Sequence, residues 1–148
     1  MKKRIPLQII EGRLILTAVV ECLKLRIHRQ IMDFVMDTGS PDSYLSDKDV
    51  LRLQIPISDK QSKEEVNVGG SRFKVVVLPK FKTYLLEENK NHVDLDISLS
   101  ALKTTKTSLK KIQTAQMLPS ILGLDFLKEQ KLSLHVVLSE DLAYLEVD

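Results

Sequence analysis

The sequence of 148 residues predicts an all-β fold, mainly strands with one or two short helices. The first observation behind this is a series of short runs rich in Leu, Ile and Val, some alternating apolar with polar residues as half-buried strands do. The second is that turn-forming residues, including a Gly-Gly pair, separate the runs. Because no internal repeat or linker is visible, one domain over residues 1–148 is predicted.

The first half of the chain predicts strands, one helical turn and a hairpin. The strands are expected in 13–27 and 28–36, with the polar stretch 24–30 as the turn region, and near residues 43–45. A short helical turn should follow and stop before Pro56, because the residue before proline disfavours helix. Residues 57–79 are expected to form a hairpin whose tip lies near Gly69-Gly70, since paired glycines supply positive φ.

The second half predicts further strands and short helices. Strands are expected in 80–87, in 92–100, in 119–122 and twice in 131–148. In the run "HVDLDISLS" the residues Val93, Leu95, Ile97 and Leu99 should share one face. Residues 103–111 are expected to be a basic surface loop, with a weak helix possible over 108–117. A short helix should begin after Gly123, with Asp125 near its N-terminus, where a carboxylate is favourable.

Composition and charge exclude several classes of protein. With 43% hydrophobic and 28% charged residues, the composition is that of a globular domain. The net charge of +2 gives no reason to expect nucleic acid or an anionic membrane as a partner. Cys22 is the single cysteine, so no intrachain disulfide can form. Residues 1–13 hold too few apolar positions for a signal peptide, and no segment is long enough to span a membrane, so a cytoplasmic location is expected.

One short stretch carries the chemistry. Asp37-Thr38-Gly39 stands directly behind the apolar run "IMDFVM", which is typical of a buried strand. An Asp in this position is usually only a turn residue. Here, however, Thr38 adds a hydroxyl that can bond within or across the loop, and Gly39 permits a turn that a side chain would oppose. The loop therefore predicts a carboxylate presented by rigid structure.

The sequence resembles the retropepsins, the single-domain, retroviral-type aspartic proteases. The resemblance rests on "FVMDTGSPDSYLS", on "VNVGGSRFKVVVLPKF" as a flap-like hairpin, and on "SILGLDFL" further along the chain. The last element matches a pattern of two hydrophobic residues followed by Gly, which in that family packs beside the catalytic loop. The resemblance implies a closed or partly open β-barrel and an aspartic endopeptidase acting on a peptide or protein substrate, without metal or cofactor.

That chemistry needs two carboxylates on one water molecule, one to accept its proton and one to donate to the scissile carbonyl. Two carboxyl groups roughly 3 Å apart cannot both be ionised, so they share a proton. Asp-Thr-Gly occurs once, and none of the glycines at positions 12, 69, 70 and 123 follows Asp-Thr or Asp-Ser. The second carboxylate must then come from another copy across a two-fold axis, which predicts a homodimer.

The resemblance also implies roles for individual residues. Asp37 would be the acid or base, Thr38 would bond across the two-fold axis, and Gly39 would lie close to the substrate. Ser40 would help to orient the carboxylate. The flap tip would be formed by Val68, Gly69 and Gly70, although a plain hairpin turn explains the glycines equally well. Structural support of the site would come from Ile121, Leu122 and Gly123.

Two departures from the retroviral pattern leave questions open. Leu124 and Asp125 stand where retroviral enzymes carry an Arg-Asn pair that braces the dimer, so the brace of this dimer is not predicted. The segment 87–119 is longer than the core fold requires and is interpreted as a possible insertion that covers the cleft, enlarges the dimer contact or binds a partner.

Other interpretations have less support. His28, His92 and His135 have no partner at metal-ligand spacing. Asp94 and Asp96 are better explained as a solvated strand face. The lysines at 103, 106, 110 and 111 have no interleaved aromatic residues for base stacking. Two rival functions remain: a catalytically silent peptide-binding or dimerisation module with the same fold, and a regulatory domain of a larger assembly.

Overall fold

A computed structural model describes residues 2–57, 64–68, 70–104, 113 and 117–147. Strands dominate these residues, together with two short α-helices, α1 (Asp47–Arg52) and α2 (Leu124–Glu129). The strands are β1 (Lys3–Pro6), β2 (Gln8–Ile10), β3 (Arg13–Cys22), β4 (Ile27–Met36), β5 (Tyr44–Leu45), β6 (Glu64–Val68), β7 (Ser71–Val77), β8 (Phe81–Leu86), β9 (His92–Ile97), β10 (Ser100–Thr104), β11 (Ser120–Leu122), β12 (Ser133–Val137) and β13 (Leu142–Val147). The predicted all-β class with one or two short helices is confirmed. No helix among the described residues has the length and apolar character needed to cross a bilayer.

The larger of two sheets places its strands in the order β6-β7-β10-β5-β11-β4-β3-β8-β9, and β2 pairs with β3 beside this path. Most neighbours are antiparallel, but β11 runs parallel to β4 and β10 runs parallel to β5. Strand β11 thereby lies between β4 and β5, although it comes about eighty residues later in the chain. The loop between β4 and β5 is thus fastened from one side by a distant segment.

The smaller sheet has three strands in the order β1-β13-β12. Both of its contacts are antiparallel, and Ile5 pairs with Leu145 at the centre of the β1–β13 ladder. Ile5 and Leu145 are 1% and 0% exposed, so this sheet presses one face into the main core. The core also contains Leu16, Phe34 and Phe81, all fully buried.

The hairpin that the Gly-Gly pair predicts is present, with Val68 paired to Ser71 at its end. Gly70 has a φ of +80°, as expected for this turn, while Gly69 lies outside the described residues. Val93, Ile97 and Leu99 are buried and Leu95 partly so, which confirms the predicted alternation.

Two features of the fold differ from the prediction. Strands β1 and β2 were not expected, because residues 3–10 carry no clear apolar alternation. The basic loop was expected to begin at residue 103, but Lys103 and Thr104 end β10, which pairs with β7. The remainder of that loop and nearly all of the weak helix at 108–117 lie outside the described residues. Within 87–119, β9 and β10 belong to the large sheet; the interpretation of this range as an insertion stays a prediction.

Candidate active site

The Asp37 turn stands at the end of β4, in the middle of the large sheet. Phe34, Val35 and Met36 pair with Ser120, Ile121 and Leu122 of β11 in parallel register. The ladder continues into the turn, because the backbone N–H of Asp37 donates to the carbonyl of Leu122 at 2.9 Å. The position of the Asp37 backbone is therefore set by a ladder rather than by the loop alone.

The turn itself closes around the carboxylate. Asp37 Oδ1 accepts the backbone N–H of Gly39 at 2.9 Å, and the Asp37 carbonyl accepts the N–H of Ser40 at 3.1 Å. A Cβ atom on residue 39 would lie 3.1 Å from Asp37 Oδ1, closer than most side chains tolerate. A glycine at this position lets the backbone approach the carboxylate it orients.

Gly123 packs directly on the same loop. A Cβ atom on this residue would stand 2.4 Å from the carbonyl oxygen of Ser40 and 2.5 Å from that of Asp42. The two residues after it continue the contact: the N–H of Leu124 donates to the Ser40 carbonyl at 2.9 Å, and that of Asp125 to the Pro41 carbonyl at 3.1 Å. The loop and the start of α2 thus form one hydrogen-bonded unit that leaves no room for a side chain at residue 123.

Asp125 is the residue of this site that the sequence did not reveal. Its carboxylate accepts the hydroxyl of Ser43 at 2.6 Å and the Ser43 backbone N–H at 3.2 Å, and it also accepts the N–H of Phe126. The Ser43 hydroxyl in turn accepts the N–H of Gly123 at 2.9 Å. The sequence indicated that Asp125 lies near the start of a helix, which is a local pattern. Nothing in the sequence indicated that its partner would be Ser43, 82 positions away.

A cleft of about 340 Å³ opens above the turn. Its floor includes Asp37, Gly39 and Ile121, and its opposite wall is Val66–Val68 of the hairpin. A neighbouring cavity of about 440 Å³ shares Asp42, Tyr44 and Val66 with it. The structure therefore brings the predicted Asp37, Gly39, Ser40, Val68 and Ile121 to one cavity, and Leu122 and Gly123 beneath it.

Thr38 and Ser40 sit differently from each other. Thr38 is exposed, and its side chain makes no hydrogen bond to a described residue. The Ser40 hydroxyl donates to the carbonyl of Asp42 at 2.7 Å. It therefore shapes the loop, and within one chain its hydrogen bond is not to the Asp37 carboxylate that it was expected to orient.

Tyr44 adds a polar group to the side of the cleft. Its phenol donates to Asp42 Oδ2 at 3.3 Å, and its ring packs with Phe73 and Leu102 in a small second cluster of buried residues. Burial, followed by the negative charge of Asp42, raises the pKa of Tyr44 from 10.0 to about 12. The phenol therefore stays protonated and uncharged at neutral pH.

The other candidates lie away from this cleft. His28 and His92 are exposed, and His135 stacks on Tyr144 with ring centroids 4.8 Å apart. Asp94 and Asp96 are exposed on β9. In the part of the chain that the structure describes, no three His, Cys, Asp or Glu side chains lie close enough to hold a metal ion.

Neither a protein-family model nor a curated protein matches this sequence. Among solved structures, a retropepsin-like aspartic protease from Rickettsia conorii is similar, with a TM-score of 0.57 and 15% sequence identity over 99% of this chain and 93% of that one. EIAV protease complexed with the inhibitor HBY-793 has a TM-score of 0.44 at 15% identity, over 86% of this chain and 96% of that one. The retroviral protease-like domain of Ddi1 from Leishmania major has a TM-score of 0.43 at 13% identity, over 80% of this chain and 79% of that one.

The Rickettsia structure carries the comparison, because its likeness extends over nearly the whole of both chains. In this chain the fold is mainly β, with two short helices and an Asp-Thr-Gly turn held by a later strand. The chain therefore has the fold of the retropepsin-like aspartic proteases.

Proposed function

We propose that this protein is an aspartic endopeptidase that hydrolyses peptide bonds as a homodimer, with one Asp37 carboxyl supplied by each subunit. A single observation carries the proposal. The Asp37 carboxylate is half-buried at the floor of a cleft, on a turn held by ladder hydrogen bonds and by close contact with Gly123. Catalytic groups need such support, because small displacements cost much of the rate.

The cleft suits an extended peptide. Strand β6 ends the strand order of the large sheet, and its residues Val66, Asn67 and Val68 line the cleft, where an extended peptide could lie beside it. Val66 and Val68 would cover apolar side chains of the substrate, with Gly70 in the turn that ends this flap. Thr38, exposed beside the carboxylate, is free to bond to the second subunit.

In the proposed reaction the paired Asp37 carboxyls share one proton. The ionised one removes a proton from the attacking water, while the protonated one donates to the carbonyl oxygen of the scissile bond. The breakdown of the tetrahedral species returns a proton to the leaving amine. No metal or cofactor takes part, and the lone Cys22 agrees with a cytoplasmic location.

Mixed dimers test the shared site. Asp37→Asn keeps the shape of the side chain but cannot exchange the proton, so the pure variant should fold and lose about a thousandfold or more in peptide turnover. When equal amounts of wild type and variant exchange subunits, about a quarter of the dimers are wild type on both sides. Turnover per chain should then fall to about a quarter of the wild-type value.

The control is Asp33→Asn, the same substitution on the same strand, at an exposed residue bonded to Thr17. It should leave turnover unchanged, alone and in mixtures. Survival of about half of the activity in the Asp37→Asn mixture would show one complete site per subunit and reject the shared dyad. A folded wild-type dimer without peptidase activity would favour the silent peptide-binding module.

A further inference from the structure

Helix α1 begins with a capping motif that a distant strand completes. Its N-cap residue is Ser46, and Asp49 follows three positions later, which is the spacing of a capping box. The Ser46 hydroxyl accepts the N–H of Asp49 at 3.2 Å, as a capping box requires. The return bond is different, because the Ser46 N–H donates to the hydroxyl of Ser120 on β11 at 2.9 Å. A hydroxyl group from β11 is thus inserted into the cap of α1.

The Ser120 hydroxyl is bonded on both sides. It accepts the Ser46 N–H and donates to Asp49 Oδ2 at 2.5 Å. The three residues are buried, with exposed fractions of 0% for Ser46, 8% for Asp49 and 1% for Ser120. A carboxylate in such surroundings depends on its hydrogen bonds, because a buried charge without partners is costly. Asp49 therefore holds Ser120 through a charge-assisted hydrogen bond.

The other carboxylate oxygen of Asp49 is held by Arg52. The Arg52 Nε–H donates to Asp49 Oδ1 at 3.3 Å, and Nη2 donates to the carbonyl of Ile31 on β4 at 3.4 Å. Ile31 precedes the part of β4 that pairs with β11, which begins at Phe34. Asp49 thus connects α1 directly with β11 and, through Arg52, with β4. These are the two strands that meet at the Asp37 turn.

Ser120 is also the first residue of the strand that holds this turn. Strand β11 has three residues, and Ser120 pairs with Phe34 at its start. At its end, the carbonyl of Leu122 accepts the N–H of Asp37 at 2.9 Å. A strand this short and this closely packed transmits a displacement from one end to the other. A shift of Ser120 would therefore reach the backbone of Asp37.

We propose that Asp49 is a positioning residue for the Asp37 turn, acting through the Ser120 hydroxyl on β11. Asp49 does not line the cleft and takes no part in proton transfer. It sets the position of β11 beside β4, and thereby the position of the carboxylate that the turn presents. Small displacements of a catalytic group lower the rate, so the loss of this contact should slow the chemical step. The inference rests on the proposed function and adds to it a residue outside the cleft.

Removing either partner tests this role. Asp49→Ala and Ser120→Ala should each lower kcat about tenfold and leave KM within about twofold, because the turn is displaced while the hairpin is unchanged. If Asp49 acts through Ser120, the double variant should also lose about tenfold, whereas independent effects would multiply to about a hundredfold. A hundredfold loss in the double variant, or wild-type kcat in both single variants, would overturn the proposal.

The matched control is Asp47→Ala. It removes a carboxylate from the same turn of α1, where Asp47 accepts the hydroxyl of Thr104, the last residue of β10, at 2.7 Å. This bond does not involve β11, so kcat should stay within about twofold of the wild-type value. An equal loss in both aspartate variants would show that any loosening of α1 lowers the rate, and would reject the specific role of Asp49.

Hydrogen exchange gives a measurement that does not depend on activity. The Asp37 amide is protected by its bond to the Leu122 carbonyl, so Asp49→Ala should speed its exchange about tenfold. The amide of Leu145, in the central strand of the small sheet, reports opening of the whole protein and is the internal reference. Equal acceleration at both amides would mean a general loss of stability and would contradict the positioning role.

The two proposals fail separately. If the wild type hydrolyses no peptide, but Asp49→Ala still speeds exchange selectively at Asp37, the positioning contact stands and the protease function fails. If the wild type is an active protease, and neither kcat nor exchange at Asp37 responds to Asp49→Ala, the function stands and Asp49 does not position the turn.

Discussion

The Asp37 loop and the β6–β7 hairpin face each other across one cleft, but different contacts hold them. The loop is bound by residues from the end of β11 and the start of α2, including Gly123 and Asp125, more than eighty positions away. The hairpin is held by pairing of β7 with β10 and by the separate small cluster of Phe73 and Leu102. Its outer strand β6 has β7 as its partner in the sheet.

The difference shows how the molecule divides its tasks. Several hydrogen bonds fix the position of the loop that carries the Asp37 carboxylate. The Asp37 N–H, the Ser40 carbonyl and the Ser43 hydroxyl are all hydrogen-bonded to the segment 122–124. The side that would cover a substrate depends on local pairing and a glycine turn. Local opening costs least where few long-range contacts exist, so the hairpin is the part suited to move.

The largest effect should come from breaking the loop anchor with Gly123→Ala. The added methyl group would overlap backbone carbonyls of Ser40 and Asp42, which cannot move aside as a flexible side chain could. We expect a loss of about 3 kcal/mol in the free energy of unfolding, and loss of turnover. The control is Gly12→Ala, at a turn with φ of +76° and no atom within 4 Å, which should cost about 1 kcal/mol and spare turnover. Equal losses in both variants would show that the close contacts of residue 123 add nothing to the cost of the methyl group.

A smaller effect should follow from Asp125→Asn. The amide would turn an NH₂ group toward one of the Ser43 donors, and the loop would lose a charge-assisted hydrogen bond. Chemical denaturation should show a loss of about 2 kcal/mol, and turnover should fall about tenfold because the turn shifts. Asp47→Asn is the matched control, a first-turn carboxylate of α1 that accepts the Thr104 hydroxyl instead. It should lower stability but not turnover, and a tenfold loss there as well would contradict the specific role of Asp125.

The hairpin side is tested by Gly70→Val. A β-branched residue opposes the φ of +80° and stiffens the turn, so turnover should fall several-fold while the dimer remains intact. Gly12→Val places the same side chain at nearly the same φ, at a residue that does not line the cleft, and should cost similar stability without changing turnover. If both variants have wild-type turnover, the Gly-Gly pair is only a turn.

The smallest effect concerns Tyr44, which lies where the loop meets the hairpin cluster. Its pKa of about 12 in the folded protein exceeds the value of 10.0 without burial, so the folded state holds this proton when the unfolded chain has lost it. The corresponding stability is fully present below pH 10 and is lost between pH 10 and about 12. Tyr44→Phe should therefore show a shallower fall in unfolding free energy over that range. An unchanged slope by urea titration would mean that this phenol does not contribute.

Local patterns in the sequence predicted much of the fold. The strands around Phe34 and Phe81 follow from apolar alternation, and the hairpin end near Gly70 follows from turn chemistry. Such predictions depend on neighbouring residues in the sequence, and they were wrong where the local pattern is weak. Residues 3–6 form a strand because they pair with β13 at the other end of the chain, where Ile5 lies opposite Leu145. Ser100–Thr104 forms a strand because it pairs with β5 on one side and β7 on the other.

The candidate site divides in the same way. By itself the sequence determined the Asp-Thr-Gly turn behind a buried strand, and the need for a second copy if its carboxylate is to be catalytic. Only the tertiary structure decided that Gly123 has no room for a side chain and that Asp125 binds Ser43. Turn and strand preferences are set by adjacent backbone and side-chain sterics, whereas these contacts join residues far apart in the chain, and their partners are chosen by how the sheets pack.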